Sequence, residues 1–300
     1  MFQLTKFYEQ CFEDFYHGNL HLFGDEKDLD KIRSLCTDLF MEIDRKRFEK
    51  SRYNVFHFID HATWTKKMEH LDDPLFNVEL KKKIVEGLHL KNIVCGTYTK
   101  TISVLQKLIE EINKTENRPA RLLEIGSGIG KLTMSVYEQF QKSSLRVEMT
   151  GSDIVAEYVE AANLEADHLQ YDINFKVIDA YHLNGLEANS YDIVFTLHSM
   201  HHFSPEQLSM IMSGARSVAT RAFIGIDGYR GIGNIFFMVF SGAMKSLMSF
   251  SLIYFHDSLI SARRMYSGKQ LEIMARLSCP FSNIVAERLS PGLTVIKIFN

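Results

Sequence analysis

Cysteine is scarce and scattered in this 300-residue chain: Cys11, Cys36, Cys95 and Cys279 share no metal-type spacing. That excludes a disulfide framework or a cysteine zinc site and suits buried thiols in a reducing, cytoplasmic compartment. Neither sign of charge dominates. Lys+Arg 34 against Asp+Glu 37 leaves a formal charge of −3, which gives no electrostatic case for nucleic acid. The N-terminus carries Lys6 and Glu9 where an export signal needs an apolar core, so no secretion is expected. No internal repeat or low-complexity tract occurs, and glycine is almost missing from the first 120 residues. What is present is ordinary for a globular protein, with 46% hydrophobic and 24% charged residues. This supports one large domain or a catalytic domain with an added helical part.

Glycine concentrates in Arg121-Leu122-Leu123-Glu124-Ile125-Gly126-Ser127-Gly128-Ile129-Gly130, between an apolar run and a helical pattern over 131–141. Leu132, Val136 and Phe140 fall on one face of that helix. A turn this tight needs residues without a Cβ, so that the backbone takes positive φ and passes close to a ligand. The spacing is not the Gly-x-Gly-x-x-Gly of the dinucleotide fingerprint. Glu124 also differs from that fingerprint, because a carboxylate there repels a pyrophosphate and attracts an ammonium group. The loop therefore points to a cationic nucleoside such as S-adenosylmethionine, with a plain strand–helix turn as the alternative.

Two more carboxylates end the next strands. Residues 146–153 read as a second strand ending in Asp153, ahead of a helix over 156–166, and 174–180 as a short third strand bearing Asp179. An acidic group at the end of the second strand accepts hydrogen bonds from both ribose hydroxyls, each contributing about 1.5–3 kcal/mol. A carboxylate at Asp179 suits an adenine amino group, with the Ala180 N–H facing the ring. A lone Asp at either place reads better as a helix cap or turn residue. Three acidic positions at the ends of successive strands read better as a site.

These motifs resemble those of the class I S-adenosylmethionine-dependent methyltransferases, over about residues 121–300. Glu124 to Gly130 is similar to the family's first motif, Gly151-Ser152-Asp153 to its ribose-binding strand end, and Val177-Ile178-Asp179-Ala180 to its adenine-binding turn. Tyr191-Asp192-Ile193-Val194-Phe195-Thr196-Leu197-His198-Ser199-Met200-His201-His202-Phe203-Ser204 resembles the fourth strand and its active-site rim. The resemblance implies that the methionine part of the cofactor lies along Glu124, Gly126 and Gly128, and that the Leu197 backbone helps hold its amino group. Ser127, where many relatives carry Cys, Gly130 and Ile154 complete the implied cofactor-binding set. The implied fold is a doubly wound, seven-stranded Rossmann-like α/β sheet whose last strands, 282–289 and 293–299, form an antiparallel hairpin. A looser similarity, over 71–112, the histidine pair and 261–271, is to small-molecule methyltransferases of the quinone- and polyketide-modifying type, hence secondary metabolism.

Helical patterns fill the first 115 residues, over 29–48, 78–90 and 99–112, with breakers at Gly24-Asp25 and Asp72-Asp73-Pro74. Residues 2–17 add an aromatic-rich helix with Phe7, Tyr8, Phe12, Phe15 and Tyr16, which packs in a core or walls an acceptor pocket. The expected division is a helical extension over 1–115 and a methyltransferase domain over 116–300, with an apolar helical insertion at 231–265. That insertion contains the nearly wholly apolar run 234–255, long enough to weigh against a membrane span. Lys245 and Gly242 interrupt it between two strands of a soluble fold, so buried or lid helices are expected, with interfacial membrane contact as the lesser alternative. Tyr229, Phe236, Phe240 and Arg263 are the expected lining of a pocket for a hydrophobic small-molecule acceptor.

His201 and His202 follow the fourth strand, where an acceptor approaches the methyl group, and either imidazole suits proton removal from a hydroxyl. A structural hydrogen-bonding role is the alternative. No carboxylate cluster accompanies His198, His201 and His202 in the sequence, so no metal is expected. A nicotinamide reductase is disfavoured by the glycine spacing and the lack of a placed Tyr-x-x-x-Lys pair. A catalytically silent S-adenosylmethionine-binding partner and a protein or peptide methyltransferase stay as alternatives to the small-molecule enzyme.

Overall fold

The computed structural model describes residues 2–18, 29–53, 62, 64, 65, 67, 69–71, 73, 75–249, 251–289 and 292–300. Side chains of 2–5, 16, 17, 78, 82, 184 and 232 fall outside that description, as do the expected breakers Gly24-Asp25, Asp72 and Pro74, and Phe250 of the apolar run. Helices α1 (Phe2–Gly18), α2 (Leu29–Ser51), α3 (Val78–Val94) and α4 (Thr97–Thr115) precede the first strand. Alternation follows: β1 (Ala120–Ile125), α5 (Lys131–Lys142), β2 (Val147–Asp153), α6 (Ala156–His168), β3 (Ile173–Val177), β4 (Tyr191–Leu197), α7 (Pro205–Val218) and β5 (Ala219–Gly228). The chain ends with α8 (Ile232–Ser249), α9 (Ile253–Arg264), α10 (Gly268–Ser278), β6 (Asn283–Leu289) and β7 (Leu293–Phe299). Seven strands form one sheet in the order β3-β2-β1-β4-β5-β7-β6, and β1 to β5 pair in parallel. Neighbouring strands joined by so short a link as β6 and β7 pair antiparallel, which gives the expected hairpin and the mixed, Rossmann-like sheet.

The chain divides into two compact units, and the division does not fall at residue 115. The first, the glycine-loop unit, comprises Pro74–Ser199, Gly214–Ile226 and Phe299–Asn300. Helices α3 and α4 belong to it because α4 buries Leu105, Ile109 and Ile112 in its core and packs on β1 and α5. Leu122, Leu123, Ile193, Val194 and Phe195 are fully buried, as strands covered on both faces require. At the starting edge of these strands, the buried Asp192 ties three elements together. It accepts from Arg118 (2.5 and 2.8 Å), the Arg121 N–H (2.8 Å) and Thr220 Oγ1 (2.8 Å). Burial pushes its carboxyl up, but the two guanidiniums outweigh burial and hold it well below the usual carboxylate range.

The second, the histidine unit, comprises Met1–Asp73, Met200–Ser213 and Asp227–Ile298. Helix α1 packs on α2 and α10, burying Phe7, Tyr8, Phe12 and Phe15, so these four aromatics form core. Cys36 on α2 is fully buried and accepts from Ser209 Oγ, and burial pushes its thiol up to about 12, which makes it unreactive. The apolar run is two helices, α8 and α9, packed as a hairpin. Gly242 permits the close approach: a Cβ there would meet Ser258 Oγ at 2.6 Å and the Tyr254 carbonyl at 2.9 Å. Ser246 Oγ then accepts from the Phe255 N–H at 2.8 Å, fixing the corner. Among the described residues no helix is long and apolar enough to cross a membrane.

Candidate functional site

The glycine loop follows β1 directly. Gly126, Gly128 and Gly130 all take positive φ (68°, 54° and 74°), a region costly for residues with a Cβ. At Gly128 the surroundings are open, the nearest atom to a Cβ being Val85 Cγ1 at 3.7 Å. Asp153, at the end of β2, braces this loop: its Oδ2 accepts from the Gly128 N–H at 2.9 Å and its Oδ1 from Val155 at 3.0 Å. The Ser127 N–H donates to the Ser152 carbonyl at 2.8 Å, while Ser127 Oγ is buried with no hydrogen-bond partner in the protein. An orphaned hydroxyl in an open glycine cradle is what a polar ligand would complete.

Glu124 lies on β1 opposite Gly151 of β2 and Phe195 of β4 and is fully buried. Burial pushes its carboxyl up to about 8, with the nearby Asp153 adding to the rise and the hydrogen bonds of Thr133 opposing it. Asp179 lies two residues beyond the end of β3 and caps the 3₁₀ turn Ala180–Gly185, accepting from the Tyr181 N–H at 2.9 Å and pairing with His182 at 2.8 Å. Capping is thus part of what Asp179 does, and bracing part of what Asp153 does. Ala180 starts that turn, Ile154 is exposed after β2, and Leu197 ends β4. His198 takes a positive φ of 55° and donates its N–H to the Ile226 carbonyl at 2.9 Å.

His201 and His202 lie in the histidine unit, on the 3₁₀ turn Met200–His202. His201 is 5% exposed and held from two sides: Nδ1 faces Asp227 at 2.9 Å, and Nε2 faces Glu69 Oε1 at 3.4 Å. Burial alone would lower its pKa, but the Asp227 and Glu69 carboxylates outweigh burial and push it up to about 10. Glu69 is correspondingly held below the ordinary carboxylate range by His202 and His201 despite its burial. An imidazole that stays protonated and paired at neutral pH has no lone pair with which to take a proton. The partly exposed His202 stacks on it, ring centroids 4.3 Å apart, and Arg264 donates to the His202 carbonyl. Carboxylates do therefore accompany the histidines, contrary to the expectation from the sequence. Asp227 lies one residue before the end of β5, much as Asp153 ends β2, and that position is a signal in the sequence; Glu69 carries none.

The four expected pocket residues all lie in this unit. Phe236 and Phe240 are 71% and 67% exposed, on the outer stripe of α8 with Phe237, Leu247 and Met248. The covered side of α8 is the other one, where Met238 and Ile235 pack on Ala262 and Met265. Both rings are thus on the exposed face of α8, because its inner face is spent on α9. Tyr229 donates its N–H to the Gly292 carbonyl at 2.7 Å and stacks under the Arg288 guanidinium at 3.6 Å. Arg263 donates to the Trp64 carbonyl at 3.5 Å.

Glycine loop, acidic strand ends and strand order together define a class I methyltransferase fold. Residues 122–221 match the family model described as a methyltransferase domain. Over these residues the chain carries such a domain. Among solved structures it is similar to the plantazolicin methyltransferase BamL, in complex with a triazolic desmethylPZN analogue and SAH. The identity is 15%, covering 73% of this chain and 91% of that one, at a TM-score of 0.52. The plantazolicin methyltransferase BpumL, with a pentazolic analogue and SAH, gives 14% identity, 77% and 93% coverage and a TM-score of 0.52. The magnesium protoporphyrin IX methyltransferase ChlM from Synechocystis PCC 6803 gives 15% identity, 85% and 99% coverage and a TM-score of 0.45. At these identities the likeness is one of fold. No curated protein matches the sequence.

Proposed function

We propose that this chain transfers the methyl group of S-adenosylmethionine to a hydroxyl oxygen, or a carbon, of a hydrophobic, aromatic small molecule. The carrying observation is the open glycine cradle around Gly128, with Ser127 Oγ unpartnered and carboxylates at three successive strand ends. Bound there, the cofactor supplies an electrophilic sulfonium methyl, and its displacement product is S-adenosylhomocysteine. Glu124, Gly126, Ser127, Gly128 and Gly130 hold the methionine part, assisted by the Leu197 backbone. Asp153 and Ile154 take the ribose, and Asp179 and the Ala180 N–H take the adenine. Asp153 exchanges part of its bracing role for the ribose hydroxyls, so loop order and cofactor binding are linked. Aligning two reactants contributes about 7–11 kcal/mol to lowering such a barrier, so the chain needs little further chemistry.

The acceptor's activation falls to the histidine pair. His201 is fixed and charged, and His202 is the accessible member. The exposed aromatic stripe of α8, with Phe236 and Phe240, offers an apolar acceptor a landing surface, and Tyr229 and Arg263 are the polar groups of that unit assigned to it. That two fold neighbours were solved with azolic desmethylPZN analogues accords with a small-molecule acceptor. A location in the cytoplasm and a role in secondary metabolism fit this reading. The test is calorimetric titration with S-adenosylmethionine, followed by a screen of phenolic and quinone-like acceptors for S-adenosylhomocysteine release. No cofactor binding sinks the proposal. Binding without turnover across the screen favours a silent cofactor-binding partner.

A further inference from the structure

Glu69, His201 and His202 bring one carboxylate oxygen and two imidazole nitrogens within 4.8 Å of one another in the histidine unit. The spacing inside this triad is not that of a tight hydrogen bond. Glu69 Oε1 and His201 Nε2 lie 3.4 Å apart. Two ligands of one tetrahedral ion, each at about 2.0–2.2 Å, lie about 3.3–3.6 Å from each other. The atoms behind the triad are arranged as metal ligands need. Asp227 takes His201 Nδ1 at 2.9 Å, which orients the ring and aims Nε2 at Glu69. Ser261 Oγ donates to Glu69 Oε1 at 2.7 Å and fixes the carboxylate. Asp227 is itself held by the His201 N–H at 2.9 Å and by the Gly228 N–H at 2.6 Å. Glu69 and His201 are buried, and the partly exposed His202 leaves a way in from solvent.

We propose that Glu69, His201 and His202 bind a divalent transition-metal ion of the zinc class, with Asp227 and Ser261 as positioning residues. The ion displaces the proton that His201 holds in its absence, and two imidazoles and one carboxylate then leave a fourth position for water or an acceptor oxygen. Use of that position in acceptor activation rests on the methyl-transfer reading; the binding of the ion does not. A second triad, His70, His256 and Asp257, also gathers ligand atoms within 4.8 Å. There both imidazoles hydrogen-bond one oxygen, Asp257 Oδ1, at 2.7 and 2.9 Å, closer than two ligands of one ion stand. It serves as the internal control.

The test takes the full chain, stripped by chelator, and titrates it with Co²⁺, whose visible d–d absorption reports coordination, and then with Zn²⁺ in competition. We expect one equivalent of Co²⁺ with tetrahedral-type absorption, displaced by Zn²⁺. Glu69→Gln and His202→Ala should each abolish it, Asp227→Asn should weaken binding about 10–100-fold, and His256→Ala should retain it. Absorption that is missing in the wild type, that survives Glu69→Gln or His202→Ala, or that vanishes in His256→Ala overturns the site. Because His202 is partly exposed, its variant decides the matter if Glu69→Gln does not fold. Titrating the same samples with S-adenosylmethionine separates the two proposals. Cofactor binding without Co²⁺ binding overturns only the metal site, and Co²⁺ binding without cofactor binding overturns only the methyltransferase reading of the loop.

Discussion

The two units assemble their interaction groups by opposite plans. In the glycine-loop unit the side chains of interest come from one continuous stretch, 124–180, joined by the Leu197 backbone, each placed where a parallel strand ends and its connection begins. In the histidine unit the groups around His201 come from positions 69, 202, 227 and 261, far apart in the chain. The first plan is written in local backbone chemistry, because a tight strand–helix turn requires glycine. The second is written in long-range electrostatics, because a buried imidazole is tolerated when carboxylates surround it. Damage to the first unit should therefore appear in cofactor binding, and damage to the second in turnover.

The largest expected effect lies in the loop. Gly128→Val combines a strained positive φ with a side chain in open cradle space, and calorimetry should show no measurable S-adenosylmethionine binding. Retained binding would dissolve the distinction between a cradle and an ordinary turn. Next in size, His202→Gln should lower kcat about 10²-fold or more while cofactor affinity stays at its wild-type value. If affinity falls with kcat, the two units are not separable in function. Asp153→Ala should weaken S-adenosylmethionine by about 1.5–3 kcal/mol, and proteolysis of the 126–130 loop should quicken because the Gly128 N–H loses its acceptor. Wild-type affinity in a folded variant would remove Asp153 from the site.

A smaller effect sharpens the electrostatic side of the comparison. With its folded-state carboxyl near 8 instead of the ordinary 4.5, Glu124 is protonated in the folded chain and ionised in the unfolded one between those values. The folded state there holds the extra proton, so stability contributed at this position falls as pH rises toward about 8 and is flat above it. Glu124→Gln should cancel that slope, seen as a thermal midpoint that gains on wild type as pH increases across this window. A gain that is constant with pH would mean the carboxyl is not shifted. The smallest effect is expected on α8, where Phe236→Ala and Phe240→Ala should raise the acceptor KM several-fold with kcat and cofactor affinity unchanged. No change in KM would leave the exposed stripe without a part in acceptor binding.

Much of the architecture is legible in the chain. Helices expected over 131–141 and 156–166 are observed at Lys131–Lys142 and Ala156–His168, and the fourth strand and final hairpin lie within a residue or two of their expected places. These elements follow from period and turn chemistry, which act over a few residues. The apolar run 234–255 was harder to read. Composition alone does not tell one long helix from two, and the break depends on Gly242 admitting α9 against α8. The same holds for α1, whose aromatics suit a pocket wall as well as a core until α2 and α10 are seen to cover them.

Sequence by itself determined the parallel alternation, the glycine loop and the acidic strand ends, because each is fixed by conformational limits within a few residues. Only the tertiary structure decided that α3 and α4 join the glycine-loop unit, that Phe236 and Phe240 face outward, and that Glu69 and Asp227 enclose His201. Those outcomes depend on which distant surfaces exclude water from one another. The charge state of a buried imidazole is then set by neighbours that residue spacing does not encode.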